Sequence, residues 1–357
     1  MYLILSWRSF HLNGDLEPMP TPAATSALST LAKRYKGESH VMYALEVEPH
    51  DTTWAILRPI FEGMVDAIRL SAAPSTPLIL IPGTNYSRDV SGAITDPVTR
   101  TNVVYMTHPY HPWTDFQDLF GSAFFDKEMQ VFVGEFGPDV SVGMTMEDVR
   151  MLLELTRVYH IGWAAWILDY QTQPPPLNLM KSETDLSPSE LPGTTSEGYG
   201  TTVKAEMLKP PSVPGETVVI DDDMSHGPDV TEPNQWWYQG AGWKHCIDCN
   251  EPTVFYYNAS QSWTDTTDDT AKLTFIGRKL TFFGVVAPWH GMAAVSIDGG
   301  TETMIDLYAT DKKGDMLLWT SPLLAPGIHT FTLRATGDKN PASTGTVIVL
   351  DRVNIHA

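Results

Sequence analysis

The chain has 357 residues, more than the roughly 250–300 at which a single hydrophobic core stops growing, so two domains are expected. A formal net charge of −20 disfavours nucleic acid and anionic membrane as partners, since both would repel it. No window reaches the roughly 20 apolar residues of a membrane span, and the opening MYLILSWRSFHLNG lacks the basic flank and cleavage site of a secretory signal.

From residue 1 to about 208, short apolar runs alternate with helical patterns. YLILS, VMYALEV, PLILI, NVVYM, QVFVG and IGWAAW read as strands buried on both faces, as in a parallel sheet. Between the second and third runs, Trp54, Leu57, Ile60, Phe61, Met64, Val65 and Ile68 recur at three- and four-residue steps. This predicts an amphipathic helix, bent at Pro59. Thr145 and Asp148 form a capping-box pattern, predicting a helix from there toward Tyr159. Alternating strands and helices imply a parallel β/α architecture, either a barrel or a doubly wound sheet. The apolar runs lead into polar or aromatic residues: Trp7, Arg8 and His11; Glu48 and His50; Asn85; His108 and Tyr110; Glu135; Trp166 and Asp169. Barrels gather reactive groups at the carboxyl ends of several strands, so this distribution favours a barrel.

Residues 209–216 read as a proline-rich linker. Beyond it, ETVVIDD, AKLTFIG, KLTFFGVVA, AAVSID, HTFTLRA and TVIVLDRVNI alternate with Gly, Asn, Asp and Pro, predicting an antiparallel β-sandwich over 217–357. The two cysteines, Cys246 and Cys249, are open to three readings: a local disulfide, two thiols, or a metal or redox site beside His245. Asn85 and Asn258 match the glycosylation acceptor pattern. Asp221, Asp222 and Asp223 read as a solvated acidic turn ahead of a calcium site.

Two strand-end glutamates stand out. Cleaving a glycosidic bond with retention needs two carboxyl groups about 5–5.5 Å apart, one to protonate the leaving oxygen and one to attack the anomeric carbon. Glu48 and Glu135 each end an apolar strand and can supply that pair.

Residues 2–208 resemble glycoside hydrolase family 5, the cellulase family. The matching stretches, in order, are LAKRYKGESHVMYALEVEPH, LILIPGTNYS, NVVYMTHPYHPW, VFVGEFG and IGWAAW, with SEGYGTTVKAEML similar to the last helix. The resemblance implies a TIM-type (β/α) barrel with Glu48 as acid/base, Glu135 as nucleophile, Tyr110 holding the Glu135 carboxylate, and His108 lining the same floor. It implies Trp166 as the platform under the sugar, with His11, His50, Asn85 and Trp113 as further cleft residues. The division of roles requires a raised pKa on the proton donor and an ionised nucleophile.

The chain departs from the family in two places. Val47 stands where the family has an asparagine that bonds the sugar 2-hydroxyl. MYLILSWRSFHLNG resembles the third barrel strand, so the first two β/α units and an arginine beside the nucleophile are expected to be absent. A barrel short of two strands bares its edges, and self-association into a homo-oligomer is the expected remedy. The implied activity is a retaining endo-β-1,4-glucanase, extracellular and without a cofactor, acting on a β-linked polysaccharide. The alternatives are a mannanase, a mixed-linkage glucanase or a glycan-binding protein without catalysis. The C-terminal segment loosely resembles the jelly-roll carbohydrate-binding modules of extracellular polysaccharide hydrolases. Its candidate sugar contacts are Trp243, Trp289 and His290.

Overall fold

A computed structural model of the chain describes residues 2–11, 14–126, 129–169, 178–179, 198–209, 216–222, 233–249 and 251–356. Most of the linker expected over 209–216 lies outside the described residues, as does Asp223. The chain divides into two compact units. One comprises Met1–Leu152 and Ile161–Pro210, the other Leu153–His160 and Pro211–Ala357.

The first unit is built on six parallel strands in sequential order: β1 (Leu3–Ser6), β2 (Val41–Ala44), β3 (Ile79–Pro82), β4 (Val103–Thr107), β5 (Val131–Val133) and β6 (Gly162–Trp163). Each coincides with a predicted apolar run, β3 and β4 extending one residue past theirs. Ile4 is level with Met42, Ala44 with Leu80, and Met106 with Phe132. These six side chains form one hydrophobic cluster on one face of the sheet. Alternate residues, including Tyr43, Ile79, Ile81 and Val133, are buried as well, which explains why the runs are continuously apolar.

Helices α1 (Pro22–Arg34) and α2 (Trp54–Ala72) pack on each other. In α2 the predicted stripe is buried at Trp54, Leu57, Phe61, Met64, Val65 and Ile68, while Ile60 at its edge is only half-buried. Each fully buried side chain of this kind contributes about 1.5–3 kcal/mol. The helix runs through Pro59 without a break. The capping box forms as predicted. Asp148 Oδ2 accepts from the Thr145 amide at 2.7 Å, Thr145 Oγ1 accepts from the Asp148 amide at 3.3 Å, and the helix Met146–Val158 follows.

In the second unit, a five-stranded antiparallel sheet has the order β14 (Thr303–Asp306), β13 (Met292–Ile297), β16 (Ile328–Ala335), β11 (Thr270–Ile276), β8 (Trp236–Gln239). A four-stranded one has the order β15 (Lys313–Thr320), β12 (Lys279–Val286), β18 (Arg352–His356), β7 (Thr217–Asp221). Residues of both, among them Trp236, Leu273, Phe282, Phe331 and Val353, share a single core. A small sheet of β17 (Ile348–Leu350), β10 (Gln261–Thr264) and β9 (Lys244–Cys246) completes the unit. Cys246 and Cys249 are joined in a disulfide, which settles the three readings of the pair.

Asp221 and Asp222 do not form a solvated turn. Both are buried, and they offer oxygens within 4.8 Å of each other and of buried Asp351. Ser260 and Ser262 donate to Asp222, while Asp351 Oδ2 has no hydrogen-bond partner. Burial, reinforced by neighbouring carboxylates, lifts Asp222 and Asp351 to about 7. Between the unfolded carboxylate value near 4 and about pH 7 the folded state therefore holds more protons, so stability falls as pH rises through that window. Asp351→Asn keeps the acceptor for the Tyr257 amide and turns the orphan oxygen into a donor. It should raise the melting temperature at pH 8 and have much less effect at pH 5, measured by calorimetry.

Candidate active site

The site grows from the carboxyl ends of β1, β2, β4 and β5. On β4 and its extension, Met106 and His108 share a parity and reach over β5, where the level residue is Gly134. A Cβ at position 134 would lie 2.6 Å from Met106 and 2.9 Å from His108 Nε2, so only glycine lets the imidazole sit there. Glu48 leaves β2 with a left-handed φ of 58°. Its amide donates to Ser87 Oγ at 3.2 Å, and the Ser87 carbonyl accepts from the His108 amide at 2.9 Å. The loop after β3 thus ties the ends of β2 and β4 together.

Glu48 and Glu135 converge around the buried His108. One oxygen of each carboxylate and one nitrogen of the imidazole all lie within 4.8 Å of one another. His108 Nδ1 is 3.3 Å from Glu48 Oε1 and 3.7 Å from Glu135 Oε2. The Tyr110 hydroxyl donates to Glu135 Oε2 at 3.5 Å, and Arg8 Nη2 donates to Glu48 Oε2 at 2.8 Å. Three such donors could also hold a cation, but the hydrogen bonds already account for the cluster.

Charge is divided unequally between the two acids. Burial pushes both carboxyl groups up. On Glu48 this is outweighed by the hydrogen bond and charge of His108 and by Arg8 and Arg88, which leave it below the usual carboxylate range. Glu135 keeps a raised pKa, because burial is its largest influence and the Glu48 charge adds to it. This reverses the order expected from the assigned roles, in which Glu48 holds the proton. The physical reason is that Arg8 and His108 both hydrogen-bond Glu48, whereas Glu135 feels the charges of His108 and Arg8 without bonding either and takes only the Tyr110 hydroxyl.

The remaining predicted residues are dispersed. His11 pairs with Glu17 at 2.9 Å and is half exposed, so it does not join the glutamates. His50 is buried, stacks on Tyr86 at 4.6 Å and holds the Glu48 carbonyl through Nδ1 at 3.0 Å, a role in shaping the loop. Asn85 is exposed in a left-handed turn. The Trp113 amide donates to Asp148 at 2.7 Å, next to the capping box. Trp166 is half-buried, and its amide donates to the Phe136 carbonyl at 2.9 Å. The same carbonyl accepts the Tyr199 hydroxyl at 2.5 Å, so it ties both the segment after β6 and the helix Tyr199–Leu208 to the strand end that carries Glu135. In the second unit, Trp243 is not a free platform. It packs on the core, and its indole N–H is shared between the Gln239 and Thr270 carbonyls. His290 is buried and Trp289 is 42% exposed.

A family model for cellulase, glycosyl hydrolase family 5, matches residues 1–172. The likeness to family 5 thus covers just under half of the chain. An endoglucanase of Clostridium saccharobutylicum is 26% identical over 176 residues, which make up 47% of this chain and 38% of the relative. Endoglucanase E-5 of Thermobifida fusca is 24% identical over 181 residues, 46% of this chain and 37% of the relative. The chain therefore spans well under half the length of either. The solved structure of cellulase Cel5C_n aligns with a TM-score of 0.50 at 21% identity, covering 59% of this chain and 65% of that one, a likeness of fold. The parallel sheet of the first unit is thus part of a TIM-barrel fold.

Two groups of the first unit escaped the sequence reading. Glu46 is buried and accepts from the Ser9 amide and hydroxyl at 2.9 and 2.8 Å, and burial raises its pKa. That anchor fixes the residue next to Arg8. Ser87 closes the turn over Glu48. Glu46 stands two residues before Glu48, and this was the available clue; Ser87 carried none. If Arg8 sets the acidity of Glu48, Arg8→Ala should move the Glu48 carboxyl titration upward and leave the fold intact. Carboxyl-carbon NMR across pH 3–8 reads this directly, and an unmoved Glu48 would remove Arg8 from the account.

Proposed function

We propose that the first unit is an endo-β-1,4-glucanase acting by double displacement. Glu135 attacks the anomeric carbon as the glycosidic C–O bond breaks, and the departing oxygen takes the proton of Glu48. Glu48 then deprotonates a water that displaces Glu135 and regenerates both acids. The observation that carries this reading is the approach of the two carboxylates to within 4.8 Å. That spacing suits direct attack, since inversion needs about 6.5–9.5 Å to admit a water. The names of the two endoglucanase relatives support a β-glucan substrate. Turnover requires the pair's proton to sit on Glu48. This reading therefore needs substrate binding to offset the hold of His108 and Arg8 on the ionised form of that carboxyl group.

A second reading, a glycan-binding protein without turnover, draws on Val47 and on the acidity order of the free site. Contacts to the sugar 2-hydroxyl strengthen in the transition state, and a valine side chain makes none. Release of reducing sugar from soluble β-glucan separates the two readings. The hydrolase reading expects Glu135→Gln and Glu48→Gln each to lower the rate by about 10³-fold or more, and Val47→Asn to raise it. Equal release by wild type and Glu135→Gln would leave only binding.

The exposed Leu3 on edge strand β1, with the exposed Tyr2 just before it, supports self-association of the first unit through that edge. Light scattering at micromolar concentration should then give a dimer or larger species, and a monomer mass would count against it. The disulfide and a polymeric substrate support an extracellular setting.

A further inference from the structure

The second unit contains a concavity of about 360 Å³, at the small end of the range of about 300–1,000 Å³ typical of ligand sites. It is lined by the disulfide, Trp263, Trp289 and Tyr256, together with polar groups whose bonding states are legible. Lys312 ion-pairs with Glu251, which also accepts the Tyr256 hydroxyl at 2.7 Å, so the cation and carboxylate offset each other. The ammonium lies 5.4 Å from the Tyr256 ring centre and 5.6 Å from that of Trp289, fixing both rings at the cavity.

Two acceptors remain. Gln261 Oε1 is buried without a hydrogen-bond partner. His290 Nδ1 lies 3.0 Å from the Val285 carbonyl oxygen, so that nitrogen carries the ring proton and Nε2 is an acceptor. Burial takes this imidazole down to about 4, so it is neutral at physiological pH. An unsatisfied buried acceptor is costly until a donor arrives. A ligand for this cavity must therefore bring O–H or N–H donors and an apolar face for the half-exposed Trp289, with no net charge. Because Lys312 and Glu251 are already paired, neither an anion nor a cation finds an uncompensated counter-charge there.

We propose that this cavity is a saccharide site for one or two neutral pyranose rings. Trp289 serves as the stacking platform, and Gln261 and His290 accept hydroxyl protons. Pyranose rings combine C–H faces with a ring of hydroxyl donors, the pairing these side chains call for. The assignment rests on the second unit alone and does not depend on hydrolysis by the first.

Calorimetric titration of the full chain with cellobiose and with lactose tests it, using wild type, Trp166→Ala, Trp289→Ala and Trp289→Phe. The expected result, with at least one probe, is a binding component that survives Trp166→Ala and weakens at least about tenfold in Trp289→Ala, with most of it restored in Trp289→Phe. Because Trp289 is 42% exposed, its truncation should leave the melting temperature unchanged, which calorimetry on the same samples verifies. Absence of any Trp289-sensitive component with both probes, or binding that is lost only in Trp166→Ala, overturns the proposal.

Discussion

Two carboxylates held within 4.8 Å in a mostly buried setting repel each other, and the first unit's strand ends are arranged around that repulsion. His108 stands between them, buried, hydrogen-bonded to Glu48 and 3.7 Å from Glu135, because Gly134 leaves it room. Arg8 adds a positive charge beside Glu48, and the Glu46–Ser9 contact ties the loop that carries Arg8 to the end of β2. Each contact is local, but together they join the ends of β1, β2, β4 and β5 into one charged assembly. The helices behind the sheet supply the apolar burial that holds those ends in place.

The placement of the positive charge matters more than its presence. In a double displacement the nucleophile must be ionised and its partner protonated, and two acids this close share effectively one proton at neutral pH. Arg8 and His108 favour ionised Glu48, whereas burial favours the protonated form of Glu135. The hydrolytic cycle proposed above consequently depends on substrate binding to reverse this order of acidity.

The second unit solves a different problem. Its two antiparallel sheets bury aromatic and aliphatic residues in a single core, leaving polar groups to be satisfied at the periphery. At one place this is incomplete, where Asp351 faces two other aspartates and favours protonation. At another it leaves a neutral cavity edged by aromatic rings, with acceptors awaiting donors. A buried unsatisfied group is a cost that a proton meets in the first case and, in our proposal, a sugar hydroxyl in the second.

What the chain determined locally could be read from it directly. The stripe of α2 follows from a 3.6-residue period, the helix start at Met146 from side chains three residues apart, and the strands from continuous apolar runs, because each depends on near neighbours. The glutamate pair was legible for a related reason: strand ends of a parallel β/α fold gather on one side. Which residues then touch was decided by the tertiary structure. His11 turns to Glu17, Trp243 spends its indole N–H on two carbonyls, the cysteines join, and Arg8 chooses Glu48. Acidity is the clearest case, since a carboxyl group's pKa sums burial and charges from residues 40 and 60 positions away along the chain. Those separations close only when the strands align, so a motif can name the two acids while the fold alone decides which one keeps the proton.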